Sequence, residues 1–222
     1  MSQLARLCGM FSVACLIACV PPVSAGEGDD WVTLFDGETL AGWRPNSKPE
    51  AWSVVDGAIR AHGVSGASHL YYVGNGESPV PFRDFELAVV TRAIGPSNSG
   101  IYFHTDEELM PGRPWPANGY EVQVNNTEKE KKKTGSLYGV VNLAASPVDE
   151  REWFELRVVV DGDRIRVFAD GTEVVDYTEP ADVVRDRQKG RVLRDAGGAI
   201  ALQAHDPVSV VEFRSVKIRA LD

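Results

Sequence analysis

Three short stretches of the chain place proton-binding and ligand-binding side chains at every second position. In Tyr120-Glu121-Val122-Gln123-Val124-Asn125, the polar set Glu121, Gln123 and Asn125 alternates with Tyr120, Val122 and Val124. Ile101-Tyr102-Phe103-His104 divides into Ile101 and Phe103 against Tyr102 and His104, and the stretch 199–205 divides into Ile200, Leu202 and Ala204 against Gln203 and His205. Alternate side chains of a β-strand point to opposite faces of its sheet, so each stretch reads as a strand with one core face and one polar face. Any half-exposed antiparallel sheet alternates in this way. Wet faces, however, usually carry Thr, Lys, Arg and Glu, whereas these carry Glu, Gln, His and Tyr. If the three strands are neighbours, Glu121, Gln123, Tyr102, His104, Gln203 and His205 line one concave surface. Asn98 just before one strand and Asp206 just after another then sit at the sheet edge, where loops shape a cleft.

One carboxylate beside imidazoles suits proton transfer rather than covalent displacement. A retaining glycosidase of sandwich fold needs two acids about 5 Å apart, often spaced as Glu-x-Asp-x-x-Glu or one residue shorter. Neither spacing occurs here, and there is no serine nucleophile elbow, Gly-rich phosphate loop or His-Glu-x-x-His.

The elements that must position these groups are strands. From Trp31 onward, short period-two runs are separated by Gly, Asp, Asn and Pro, and no long stretch carries apolar residues at helical spacing. Asp56-Gly57 joins Trp52–Val55 to Ala58–Ala61 in a hairpin, because Asp-Gly tolerates the positive φ angles of a tight turn. Gly162 and Asp170-Gly171 fold the stretch from Phe154 to Tyr177 into a three-strand meander, and 211–218 forms a closing strand. Residues 181–188 read as a short surface turn, and the charge run Glu128–Lys133 as a solvated loop. This pattern predicts an all-β fold: a sandwich of two antiparallel sheets formed by residues 31–222. The chain has 222 residues, 43% of them hydrophobic, enough for one domain with a sizeable core. Its net charge of −9 argues against a sequence-independent grip on nucleic acid, which needs a basic stripe to neutralise phosphates.

Residues 1–25 differ from the rest. A lone Arg6 precedes the apolar run from Cys8 to Val20, which is too short to span a bilayer comfortably and reads as an export leader. Two exits compete. Leu16-Ile17-Ala18-Cys19 resembles a bacterial lipobox, whose Cys is acylated and anchors the protein to a membrane, and Val23-Ser24-Ala25 has the small-x-small form of ordinary cleavage. All three cysteines, at 8, 15 and 19, lie in this leader, so the mature domain has no disulfide framework or cysteine metal site. Either exit implies a bacterial periplasmic or cell-envelope protein, and the lipobox makes it a lipoprotein.

The chain also resembles the 3-keto-disaccharide hydrolase domain family, which has a concanavalin-like jelly-roll fold. The resemblance runs through Leu34-Phe35-Asp36-Gly37, Asn98-Ser99-Gly100-Ile101-Tyr102-Phe103, Gly119-Tyr120-Glu121-Val122-Gln123-Val124, Gly135-Ser136-Leu137-Tyr138-Gly139, Ile200-Ala201-Leu202-Gln203-Ala204-His205 and Val211-Glu212-Phe213-Arg214. Family members more often carry Arg where this chain has His104. The resemblance implies cleavage of glycosides already oxidised at C3 by a separate sugar 3-dehydrogenase. A C3 ketone acidifies the C2 hydrogen, so a base can form an enolate that expels the C1 substituent, with water adding afterwards. On that reading Glu121 or His205 is the base and the other the acid, and His104 and Gln123 donate to the enolate. Tyr102, Gln203, Asn98 and Asp206 contact the substrate, with Arg92 and Trp115 as outer contacts. Trp115, between Pro114 and Pro116, reads equally as a loop anchor. No cofactor is required, although Glu121, His104 and His205 are the set that would hold a divalent metal polarising the ketone. A non-catalytic carbohydrate-binding module or an envelope interaction module of the same fold would use the same face without turnover. The lipobox reading predicts that the mature N-terminus, measured by mass spectrometry, is an acylated Cys19; an N-terminus at Gly26 instead excludes the anchor.

Overall fold

A computed structural model describes residues 30–183 and 192–221. The leader with Cys19, and all but the first three positions of the turn expected at 181–188, lie outside the described residues. Strands are numbered here in chain order. The larger sheet runs, in spatial order, β11 (Thr172–Thr178), β10 (Arg164–Ala169), β9 (Phe154–Asp161), β6 (Phe85–Ala93), β13 (Val211–Ala220), β4 (Ala58–Ala61) and β3 (Trp52–Val55), with β1 (Val32–Thr33) also on β13. The smaller sheet runs β2 (Trp43–Pro45), β5 (Ser68–Tyr72), β12 (Ala199–Ala204), β7 (Asn98–Thr105) and β8 (Tyr120–Asn125). Every pairing is antiparallel. Among the described residues, the only helical element is a 3-10 turn at Pro49–Ala51. The expected jelly-roll sandwich is therefore what the chain forms.

The hairpins close as their turn residues dictate. Val55 pairs with Ala58 around Asp56 and Gly57, whose φ angles are 51° and 76°. Ala169 pairs with Thr172 around Asp170 and Gly171, at 45° and 77°. Two positive φ values in a two-residue loop match the right-handed twist of the flanking strands. The core lies between the sheets. Phe85, Leu87 and Val89 of β6, Leu156 and Val158 of β9 and Phe213 and Val216 of β13 pack with Ile101 and Phe103 of β7, Val122 and Val124 of β8 and Ile200 and Leu202 of β12, all buried. Period two was the cause: one apolar face per strand can leave water only by stacking against another such face.

The outer face of the larger sheet is built differently. Two buried carboxylates are each held by two arginines: Glu212 by Arg60 and by Arg92 at 2.7 Å, and Glu86 by Arg157 and by Arg219 at 2.7 Å. The Arg92 guanidinium also lies 4.4 Å over the Trp153 ring, and Arg214 lies 4.5 Å over the same ring. Arg92, expected near the substrate, therefore belongs to this face, because its even position on β6 points it away from the sandwich interior and from the other sheet.

Burial pushes the Glu86 and Glu212 carboxyls upward, but hydrogen bonds from their arginines outweigh it and hold both below their ordinary value of 4.5. Lowered folded values mean that the stabilisation is complete above the unfolded pKa and is lost as pH falls through the folded values. Removing one of these charges leaves two half-buried arginines without their partner. Glu212→Gln should lower the unfolding free energy by about 1–3 kcal/mol at pH 7, a fall in Tm of roughly 3–10 °C by calorimetry, and the difference from wild type should shrink below about pH 4.

Candidate active site

On the smaller sheet, register brings the polar faces of four strands together. Across β7 and β8, Tyr102 pairs with Glu121, Gly100 with Gln123 and Asn98 with Asn125. Across β12, Ala201 pairs with both Tyr102 and Tyr71, and Gln203 pairs with His69. Because Leu202 pairs with Ile101, Gln203 stands level with Gly100. The face is thus a grid, with one row formed by Glu121, Tyr102, Ala201 and Tyr71 and the next by Gln123, Gly100, Gln203 and His69. Above it lies a cleft of about 230 Å³ with Asn98, Tyr102, Glu121, Gln123, Gln203 and His205 in its floor, and Arg113, Trp115, Glu130 and Tyr138 in its walls.

Glycine in the middle of the second row is what admits the carboxylate. A Cβ at Gly100 would fall 2.3 Å from Glu121 Oε1, so the Glu121 side chain occupies the space that any other residue at 100 would fill. Glutamines stand on the strands to either side. Gln123 Nε2 donates to Asn98 Oδ1 at 2.8 Å, and Gln203 Nε2 donates to the Tyr102 hydroxyl at 2.9 Å. Asn98 Nδ2 lies 3.2 Å from His205 Nε2, and His205 Nδ1 lies 3.1 Å from Asp206 Oδ2. A carboxylate only accepts, so Nδ1 carries the proton and Nε2 presents its lone pair. Burial pushes the Asp206 carboxyl upward, but the Val208 and Ser209 amides and His205 outweigh it and hold its pKa below the ordinary value. Asp206 does not line the cleft; it stands behind His205 and orients it.

Loops complete the walls. Segment 106–119 is tied at its base by Asp106, which pairs with Arg194, accepts from Asn118 Nδ2 at 2.9 Å and offers its carbonyl to the Tyr71 hydroxyl at 2.8 Å. This loop carries Trp115, whose indole stacks on His205 with ring centres 4.9 Å apart. The charge run is only partly a solvated loop. Glu130 reaches the cleft wall, accepts from the Tyr138 hydroxyl at 3.1 Å and pairs with Lys132, which lies over the Tyr138 ring.

The structure thus gathers Glu121, Gln123, Tyr102, Asn98, Gln203, His205 and Trp115 in one cleft, with Asp206 behind it. It does not bring His104 there. Ala201 pairs with Tyr102 but Ala199 with Thr105, so β7 carries one extra residue, and His104 takes the left-handed conformation at φ 50°. The bulge turns its ring to the end of the sandwich, where Nε2 donates to the Arg83 carbonyl at 2.7 Å, Nδ1 accepts from the Arg194 amide at 2.9 Å and the ring stacks on Phe85. Burial lowers its pKa. Gly119 and Gly198 make room for the bulge, since a Cβ on either would come within 2.5 Å of its backbone. The metal set expected from Glu121, His104 and His205 therefore does not converge, and among the described residues no group of three or more His, Cys, Asp or Glu is placed to hold a metal ion.

Sequence reasoning passed over His69, Arg113, Glu130 and Tyr138. The period-two argument, applied to Ser68-His69-Leu70-Tyr71, finds His69; loop residues such as Arg113 carry no periodic signal. His69 is fully buried beside Tyr102 and Trp115, and burial, with His205 nearby, pushes its pKa down to about 3.

Residues 30–219 match the sequence profile of the 3-keto-alpha-glucoside-1,2-lyase-like domain family. The chain belongs to that family. A stretch of 87 residues is 32% identical to a 3-keto-disaccharide hydrolase of Bacteroides thetaiotaomicron, covering 36% of this chain and 29% of that protein, so less than a third of the relative is matched. Among solved structures, a candidate glycosyl hydrolase from Parabacteroides distasonis superimposes with a TM-score of 0.66 at 24% identity, over 86% of this chain and 94% of the other. The carbohydrate-binding module CBM66 from Bacillus subtilis gives 0.56 at 17% identity, over 81% and 96%. Both show that the lyase-like domain shares its sandwich with these proteins.

Replacing His104 by Ala would remove the side-chain partner of the Arg83 carbonyl and of the Arg194 amide beside the bulge. His104→Ala should lower the unfolding free energy by about 2 kcal/mol, a drop in Tm of roughly 5 °C, with ligand binding per folded molecule unchanged; an unaltered Tm with binding lost would instead give this side chain a role in the cleft.

Proposed function

We propose that this domain cleaves glycosides whose sugar carries a ketone at C3, by removing the C2 proton, eliminating the C1 substituent and hydrating the product. The observation that carries this reading is the carboxylate of Glu121, held over Gly100 in the cleft floor between two glutamines, with an Asp206-oriented imidazole two strands away, while the cleft's other carboxylate, Glu130, stands in the wall engaged by Lys132 and the Tyr138 hydroxyl. A double-displacement glycosidase would need a second acid about 5 Å off; an elimination needs one base and a stabilised enolate. The family description, a 1,2-lyase-like domain, supports elimination across C1 and C2, in which the C2–H and C1–O bonds break.

Glu121 takes the C2 proton, and the electron pair moves into the C2–C3 bond as the ketone becomes an enolate. Arg113, the cation among the described residues lining the cleft, is the group that offsets the charge developing on that oxygen. Gln123 does not serve there, because its amide nitrogen is committed to Asn98. The enolate pair then forms the C1–C2 double bond as the C1–O bond breaks, and the departing oxygen takes the proton that Glu121 holds. Water that displaces the Asn98 amide from His205 Nε2, 3.2 Å away, gives that nitrogen a proton as its oxygen adds to C1, and C2 regains one proton, so the sum is hydrolysis.

The substrate must come from a reaction that oxidises a C3 hydroxyl, and on this reading the chain works beside a sugar dehydrogenase. The leader-like sequence of residues 1–25 supports the cell envelope as the place of that work. The shared fold of a carbohydrate-binding module favours one other reading, sugar binding without turnover.

Incubating the domain with a 3-keto-glucoside and following aglycone release separates the two. Turnover is expected in wild type, with kcat lower by about 10²–10⁴-fold in Glu121→Gln and His205→Ala. Gly100→Ala, which displaces the carboxylate, should cost about 100-fold in kcat/KM. Binding with no turnover under any condition would establish the module, and full activity in both Glu121→Gln and His205→Ala would remove the assignment.

A further inference from the structure

The polarity of the cleft floor follows from a chain of hydrogen bonds that begins at Asp206. Its Oδ2 holds the proton of His205 on Nδ1, so Nε2 accepts; Asn98 therefore turns its Nδ2 to His205 and its Oδ1 to Gln123; and Gln123 turns its Nε2 to Asn98. One orientation is left for the last amide, with its oxygen away from Asn98. Gln203 reaches the same state from the other side, with its Nε2 2.9 Å from the Tyr102 hydroxyl and 3.4 Å from His69 Nε2. Both glutamines are 1% exposed, both line the cleft, and Oε1 of each is shielded from bulk water with no hydrogen-bond partner. Buried acceptors left without donors are unfavourable, and a ligand that brings a donor to each recovers that free energy.

We propose that the cleft floor is an acceptor-only subsite: Oε1 of Gln123 and Oε1 of Gln203, on the strands either side of Gly100, each take a hydrogen bond from a ring hydroxyl of the glycoside, and Asp206 sets that polarity for Gln123 through His205 and Asn98. This rests on the reading of the cleft as a sugar site. A ketone has no hydrogen to donate, so the oxidised carbon lies away from both glutamines, toward the Arg113 wall. The two amides thereby select which carbons of the ring still carry hydroxyls and orient the C2 hydrogen to the carboxylate between them.

Replacing a hydroxyl by fluorine removes the donor and keeps the size, so fluorinated sugars read the polarity directly. Binding of methyl glucoside and its 2-, 3-, 4- and 6-deoxyfluoro analogues to the domain, measured by calorimetry, should show two positions at which fluorine weakens affinity by about 10–100-fold. In Asp206→Asn, Oδ1 still accepts the Val208 and Ser209 amides, while Nδ2 donates to His205 Nδ1 and moves the imidazole proton to Nε2. Asn98 and Gln123 then turn over and the Gln123 amide nitrogen faces the cleft. One of the two fluorine penalties should fall to within about 3-fold of parity, and the other, read by Gln203, should persist as the internal control. Gln123→Met should abolish the same penalty without invoking the relay. Fluorine tolerated at every position in wild type would overturn the subsite, and both penalties surviving in Asp206→Asn would overturn the relay. Failure of every glucoside to bind would remove the sugar reading itself, and the subsite with it.

Discussion

Strand β7 is hydrogen-bonded to β8 on one side and β12 on the other, and the residue with no side chain in its middle governs the cleft. Register sets Gly100 between Gln123 and Gln203, and the vacancy above it is filled by the Glu121 carboxylate. Strand spacing is fixed by the backbone ladder at about 4.8 Å, so the distances between functional groups on three strands are inherited from main-chain geometry rather than from flexible loops. That is a rigid platform of the kind proton transfer needs, because reacting atoms must be held within a few tenths of an ångström of their productive positions.

Burial then turns orientation into chemistry. Most floor side chains are nearly closed to solvent, so each hydrogen bond made or left unmade counts for more than it would on a wet surface. The ionised Asp206 supplies the one unambiguous acceptor, and the tautomer of His205 and the amide of Asn98 follow from it. His69, held neutral by the same burial, supports the opposite end of the floor without adding charge. The result is a cleft with a carboxylate in its floor, an oriented imidazole and the Arg113 guanidinium in its wall, arranged so that charge can appear on a substrate oxygen while little else has to move.

The two outer faces of the sandwich show how the same alternation serves two ends. On the larger sheet, arginines bracket Glu86 and Glu212 and lie over Trp153 and Phe168, which covers an otherwise wet surface with paired charge. On the smaller sheet, the corresponding positions hold amides, imidazoles and Tyr102, and loops rise around them. Arg92 shows the limit of reading residue type alone: a guanidinium at a strand position looks the same in sequence whether its sheet faces a ligand or a carboxylate from β13.

Period two in the residues determined that the chain is all-β, which side chains enter the core, where the Asp-Gly hairpins close and that Glu121, Gln123, Tyr102, Gln203 and His205 share exposed faces, because alternation is a local property of an extended backbone. It failed at His104, where one extra residue in β7 reverses the alternation, and a bulge depends on Gly119 and Gly198 from other strands and loops. Which strands are neighbours, which of the two outer faces becomes a cleft, and which loop residues wall it were decided only by the tertiary structure. Those outcomes rest on pairing between segments as far apart as residues 100 and 203, and no short stretch of sequence contains the physical interaction that selects such a pairing.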